Sequence, residues 1–214
     1  MGDLFGIDTE QYPMTGNEEY MYWGDRSRGA TGHAFTKEEY FARYRPHNHE
    51  IVNSIVACCG APKNVLSLGC GLGFDVERWH ELEVPVLGVE ITRYAIERSL
   101  VGRFIVHGSA HELSIFRTDS YELVLALELM EHLPPEITEA AIAEIRRVGY
   151  YKAILTIGRG TSDVTHINLK PREEWERLLG PLDYDLQERL SQHMKDKGLV
   201  DMVWDRIYVM ELGQ

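Results

Sequence analysis

The chain has 214 residues, a length that suits one domain with a short appendage. Apolar residues make up 44% and charged residues 26%, which is ordinary globular usage and excludes disordered, collagen-like and coiled-coil classes. Lys and Arg number 22 against 34 Asp and Glu, a formal net charge of −12. Such a chain repels a polyanion at long range, so nucleic acid is not an expected partner.

The three cysteines are the adjacent Cys58 and Cys59 and the separate Cys70. They make neither a disulfide framework nor a CxxC pair, so a reducing compartment is expected. The opening residues, MGDLFGIDTE, are acidic and lack the basic flank and apolar core of a signal peptide. The longest apolar runs, Ile55–Cys59 and Leu123–Leu127, are too short to span a bilayer. A cytoplasmic protein without a membrane segment is expected.

Residues 1–35 have no clear period and read as a leading segment that orders over a site. Thr36 and Glu39 form a capping-box pair at the start of a helix carrying Phe41 and Tyr44. A second helix is expected from His47 to Cys59, stopped by Gly60-Ala61-Pro62. Residues 1–50 are thus read as a helical cap and 51–214 as the main domain.

Strands and helices then alternate. Strands are expected at Val65–Leu68, Val86–Val89, Phe104–Val106, Leu123–Leu127 and Ala153–Ile157. Helices are expected at Phe74–Leu82, Thr92–Leu100, Pro135–Val148 and Pro171–Leu179. Met202–Leu212 reads as a last strand, paired with an extended piece near Asp183–Leu186. This pattern is α/β: a Rossmann-like, doubly wound, mostly parallel seven-stranded sheet whose last strand is antiparallel.

The first strand hands over to Gly69-Cys70-Gly71-Leu72-Gly73. Glycines at such a turn tolerate positive φ and let the backbone approach a ligand. The dinucleotide pattern GxGxxG fails, because Phe74 stands at its third glycine position. Glu90 ends the next strand, where a carboxylate can accept hydrogen bonds from both hydroxyls of a ribose. Cys70 is expected to act as a small apolar side chain within the loop.

The run VLSLGCGLG (Val65–Gly73) with Glu90 resembles the first two motifs of the class I S-adenosylmethionine-dependent methyltransferases. YELVLALELMEHLP (Tyr121–Pro134) is similar to the fourth-strand motif of their small-molecule branch. The resemblance covers about residues 50–180. It implies that Gly69, Cys70, Gly71 and Gly73 hold the methionine half of S-adenosylmethionine, Glu90 the ribose and Ile91 one face of the adenine. Ser109 and Ala110 fall where relatives often carry Gly-Asp-Ala, with Ser109 replacing the acidic residue that commonly meets the adenine amine. Glu128, and Tyr44 and Arg45 from the cap, are also expected at the cofactor.

Glu128, Glu131 and His132 stand at i, i+3 and i+4, so one helical turn projects them together. His166 follows the fifth strand, again at the carboxyl side of the sheet. Glu131, His132 and His166 are the candidate catalytic residues. Two carboxylates with imidazole suit Mg²⁺, Mn²⁺ or Zn²⁺, so Glu128, Glu131, His132 and His166 are also a candidate metal set. The arrangement resembles the metal site of small-RNA 3′-end 2′-O-methyltransferases and, in part, that of ubiquinone-pathway O-methyltransferases. A general base or substrate contact at His132 or His166 and plain packing of these histidines remain alternatives.

Three readings follow. The first is a methyltransferase acting on an O or N nucleophile of a small molecule. The second is a metal-assisted RNA 2′-O-methyltransferase. The third is a non-catalytic S-adenosylmethionine-binding accessory protein.

Overall fold

A computed structural model describes residues 37–160, 165–199 and 206–213. The aromatic leading segment with Tyr20, Tyr22 and Trp23, the Thr36 cap and the start of the last expected strand at Met202 lie outside the described residues.

Among the described residues six strands form one sheet, in the order β3-β2-β1-β4-β5-β6. They are β1 (Val65–Leu68), β2 (Val86–Glu90), β3 (Ile105–His107), β4 (Tyr121–Leu127), β5 (Gly149–Thr156) and β6 (Ile207–Glu211). All pairings are parallel except β5 with β6, where Thr156 meets Ile207 and Lys152 meets Glu211. The expected seventh strand is reduced to one bridge, Leu182 to Met210, closed by Asp183 N–H to the Val209 carbonyl and Glu211 N–H to the Pro181 carbonyl. The extension stops there because Asp183 caps helix α6 (Tyr184–Asp196), its carboxylate accepting the Leu186 amide. Residues 184–186 are therefore helical, not extended.

Side chains alternate across the sheet as strand geometry requires. Leu66, Leu68, Val124, Ala126, Ala153, Leu155, Tyr208 and Met210 pack on one face, against α4 (Pro135–Val148) and α5 (Arg172–Leu179). Val65, Leu123, Leu125, Ile154, Ile207 and Val209 pack on the other, against α1 (Lys37–Cys59), α2 (Phe74–Glu81) and α6. Each fully buried aliphatic side chain contributes about 1.5–3 kcal/mol. Both faces are thus covered and the sheet is doubly wound. Helix α3 (Arg93–Arg98) completes the crossover from β2 to β3.

The two helices expected before β1 are one. Helix α1 carries Pro46 internally and runs through the expected boundary at residue 50. A proline forfeits one backbone hydrogen bond. The helix continues because Ile51, Val52 and Ile55 beyond it are buried in the core, and because Arg45 docks the preceding turn onto α2. There the Arg45 guanidinium donates to both Glu77 oxygens, at 2.7 and 2.9 Å.

Strand order reverses between β1 and β4, and a crevice opens at their carboxyl ends. Tyr40, Phe41 and Tyr44 of α1 pack on Leu72, Phe74 and Ala95 along one wall of it, with Phe41 edge-on to Phe74 at 5.0 Å.

Candidate active site

All three loop glycines adopt left-handed backbone, with φ of 62° at Gly69, 55° at Gly71 and 73° at Gly73. A Cβ at Gly69 would lie 2.6 Å from Leu129 Cδ1, and one at Gly73 would lie 2.8 Å from Ile105 Cδ1. Conformation and space both demand glycine there. Cys70 turns its Sγ onto Gly88 of β2. Burial, then the nearby Asp75 and Glu90 charges, push its thiol well above the ordinary range, so it stays protonated.

Glu90 is 5% exposed. One of its oxygens accepts the Gly71 amide at 2.8 Å and the other accepts the Thr92 amide at 2.9 Å. Each oxygen keeps acceptor capacity for a ligand hydroxyl. Beneath the loop, Ser67 Oγ donates to Asp75 Oδ2. Burial raises the Asp75 carboxyl despite this bond.

The loop, Glu90, Ile91 and Thr92 line a pocket of about 360 Å³ that runs on to Leu127, Glu128, Leu129 and His132. Tyr40 and Tyr44 of α1 wall it. Gly69, Cys70, Gly71, Glu90, Ile91, Glu128, His132 and Tyr44 are therefore brought together as the sequence suggested, and Gly73 closes the turn behind them. Arg45, Ser109 and Ala110 are not in the lining. Arg45 is turned aside by Glu77, Ser109 Oγ is held at 2.6 Å by His111 Nδ1, and Ala110 is packed in the core.

Past β4 the chain makes a sharp turn. Glu128 has φ of 49°, an uncommon conformation for a non-glycine residue that clusters at functional sites. Its amide donates to Thr156 O and Oγ1, while its Oε1 is buried without a hydrogen-bond partner. A 3₁₀ turn then carries Met130, Glu131 and His132, all buried. The Glu131 carboxylate accepts the Gly158 amide at 2.6 Å. His132 Nδ1 lies 3.1 Å from the Thr165 carbonyl, and His166 Nδ1 lies 2.7 Å from the Gly160 carbonyl. A carbonyl only accepts, so these contacts place a proton on Nδ1 of each ring, and the Thr165 hydroxyl, 3.0 Å from His132 Nδ1, lies beside the same nitrogen.

The two rings meet edge to face at 4.8 Å. One ligand atom from each of Glu131, His132 and His166 lies within 4.8 Å of the others. His132 faces the pocket, and Glu131 and His166 stand behind it. A Cβ on Gly158 would meet Glu131 Oε1 at 2.5 Å, His166 Cε1 at 2.8 Å and Glu128 Oε2 at 3.1 Å. The cluster closes around that glycine. Gly158, Thr92 and Asn168 escaped the sequence reading. Asn168, two residues past His166 in a His-Ile-Asn run, was the one with a legible signal.

Residues 66–156 match the family described as Methyltransferase domain. The chain shares its fold with a SAM-dependent methyltransferase from Archaeoglobus fulgidus at 22% identity and TM-score 0.58, over 66% of this chain and 70% of that one. A second structure with this fold is a SAM-dependent methyltransferase from Thermotoga maritima, at 18% identity and TM-score 0.51, over 66% of this chain and 73% of that one. In sequence, 107 residues are 30% identical to the ubiquinone biosynthesis O-methyltransferase of Aromatoleum aromaticum. That match takes in 46% of each chain, so the chain spans about half the length of this relative. No described helix is long and apolar enough to cross a membrane.

Proposed function

We propose that the protein is a methyltransferase that moves a methyl group from S-adenosylmethionine to an oxygen or nitrogen of a small molecule. One observation carries the reading. A single pocket has the Gly69–Gly73 loop and Glu90 at one end and Glu128 and His132 at the other. The first end fits a nucleoside with its amino-acid tail, and the second fits the acceptor. S-adenosylmethionine supplies an activated sulfonium methyl group when bound. The glycine loop and Glu90 hold and orient it, and the aromatic wall of Tyr40 and Tyr44 excludes water. Alignment of this kind lowers a barrier by roughly 7–11 kcal/mol in favourable cases.

His132 takes the acceptor proton. Its Nδ1–H is fixed on Thr165, which leaves Nε2 to act as base. The Glu131 carboxylate nearby favours the imidazolium that results. With its proton on His132, the acceptor oxygen or nitrogen would take the methyl group that bound S-adenosylmethionine supplies, and S-adenosylhomocysteine would be the by-product. The similarity to a ubiquinone-pathway O-methyltransferase favours a hydroxyl acceptor.

A divalent cation is a second reading supported by the same cluster. One carboxylate and two imidazoles, each ring held through Nδ1 by a backbone carbonyl, make a ligand set; Glu128, expected as a fourth ligand, is not part of this group. Glu131, His132 and His166 would hold such an ion, which would acidify an acceptor hydroxyl.

Calorimetric titration with S-adenosylhomocysteine, before and after EDTA, tests both readings. Binding that survives EDTA, followed by labelled methyl transfer to a pooled set of hydroxylated metabolites, is the expected outcome. No binding to the untreated protein overturns the first reading. Transfer abolished by EDTA and restored by one metal establishes the second.

A further inference from the structure

Arg206 immediately precedes β6 and lines the same pocket as Glu128 and His132. Its backbone carbonyl accepts the Ile157 amide at 2.9 Å, which fixes it at the carboxyl edge of the sheet. The side chain is half-buried. It forms none of the hydrogen bonds or ion pairs found among the described residues. Acidic residues outnumber basic ones by 34 to 22 in this chain, and most of the arginines around the fold are engaged. Arg45 is on Glu77, Arg147 on Glu144 and Arg172 on Glu176. The pocket's own carboxylates, Glu90 and Glu128, form no ion pair with Arg206; a partly desolvated guanidinium left without one is costly and is matched by a carboxylate or phosphate that it can bind in a fork.

The sheet order decides which ligand brings that anion. Arg206 precedes β6, while Gly69 follows β1, and β4 and β5 lie between. Three strand spacings put about 14 Å between the two positions. Glu128, at the tip of β4, lies between them. Arg206 therefore stands beyond the acceptor end of the pocket, away from the loop that would hold the nucleoside and its tail. We infer that the methyl acceptor is an anionic small molecule, carrying a carboxylate or phosphate that Arg206 binds while its nucleophile faces His132. This rests on the methyltransferase reading above and adds the charge class of the acceptor.

The probe is inorganic phosphate. Melting temperature is measured on the S-adenosylhomocysteine complex as phosphate is added at constant ionic strength, for the parent, Arg206→Met and Arg206→Lys. The expected result is a phosphate-dependent rise of several degrees in the parent, a smaller one in Arg206→Lys and none in Arg206→Met. All three proteins should bind S-adenosylhomocysteine within about twofold of one another, which also certifies the fold of the variants. Equal responses of parent and Arg206→Met, or no response in either, overturn the inference. A tenfold loss of S-adenosylhomocysteine affinity in Arg206→Met also overturns it, by assigning the guanidinium to the cofactor's own carboxylate. If the parent fails to bind S-adenosylhomocysteine at all, the underlying methyltransferase reading fails instead.

Discussion

The Glu90 carboxylate accepts the Gly71 amide at 2.8 Å across 19 residues of sequence. The tip of β2 thereby staples the loop that follows β1. Replacing Glu90 with Ala removes acceptors for two backbone amides, each charge-assisted bond worth roughly 1.5–3 kcal/mol. A lower melting temperature and at least tenfold weaker S-adenosylhomocysteine binding by calorimetry are expected. Glu90→Gln keeps one carbonyl acceptor and should fall between. An alanine variant with parental affinity would remove Glu90 from the ligand site.

Gly158 isolates the chemistry from the fold. It does not adopt positive φ, so Gly158→Ala carries no backbone penalty. Its new methyl group would instead press on Glu131 Oε1 and His166. A loss of about 1–3 kcal/mol in stability with more than tenfold slower methyl transfer is expected, while S-adenosylhomocysteine affinity stays within twofold. Unchanged turnover would show that the Glu131–His166 geometry does not matter to the rate.

Asn168 positions the two histidine-bearing segments. Its amide donates to the Glu131 carbonyl at 3.0 Å, and its Nδ2 donates to the Met130 carbonyl and to Thr138 Oγ1. Asn168→Ala should lower kcat by roughly 10–100-fold, as loss of an outer support does, with little change in KM. The pH–rate profile should move with it, because His132 loses its fixed setting. A variant whose kcat and pH profile match the parent would confine Asn168 to packing.

The clamp between α1 and α2 depends on pH. Burial alone would raise the Glu77 carboxyl, but the hydrogen bonds and charge of Arg45, helped by His49, outweigh it and hold it below the ordinary 4.5. A lowered folded-state value means stability that is complete above the ordinary value and lost as pH falls through the lowered one. Arg45 is 43% exposed, so solvent screening limits the contribution to about 1 kcal/mol or less. Glu77→Gln should melt a few degrees lower than the parent at pH 7, and the difference should shrink as pH falls below the ordinary carboxylate range. A constant difference across that range would show that charge is not the cause.

The parts of this site that were legible in the sequence are those fixed by short-range geometry. A turn needing three left-handed residues writes itself as Gly69, Gly71 and Gly73, and a strand tip writes itself as Glu90. The i, i+3, i+4 spacing brought Glu131 and His132 into one turn, although that turn is 3₁₀ and places Glu131 behind His132. What stayed hidden was the choice of partner. Nothing local to Arg45 announces Glu77, 32 residues on, and Ser109 is drawn aside by His111 two residues away, so both were expected in a pocket from which they are turned away. The second helix expected from His47 is continuous with the first, because burial of Ile51 and Ile55 further along outweighs the hydrogen bond that Pro46 forfeits. The missing strand shrank to the Leu182 bridge because Asp183 is a better helix cap than strand residue.

Glu90 already ties the turns at residues 71 and 92 before any nucleoside arrives. A ribose that adds its hydroxyls to the same two oxygens makes ligand and backbone share one anchor. Occupancy and local rigidity then rise together: fraying of either turn loosens the guest, and the guest in turn suppresses the fraying. Affinity at this crevice would then be set partly by how firmly the protein holds its own amides.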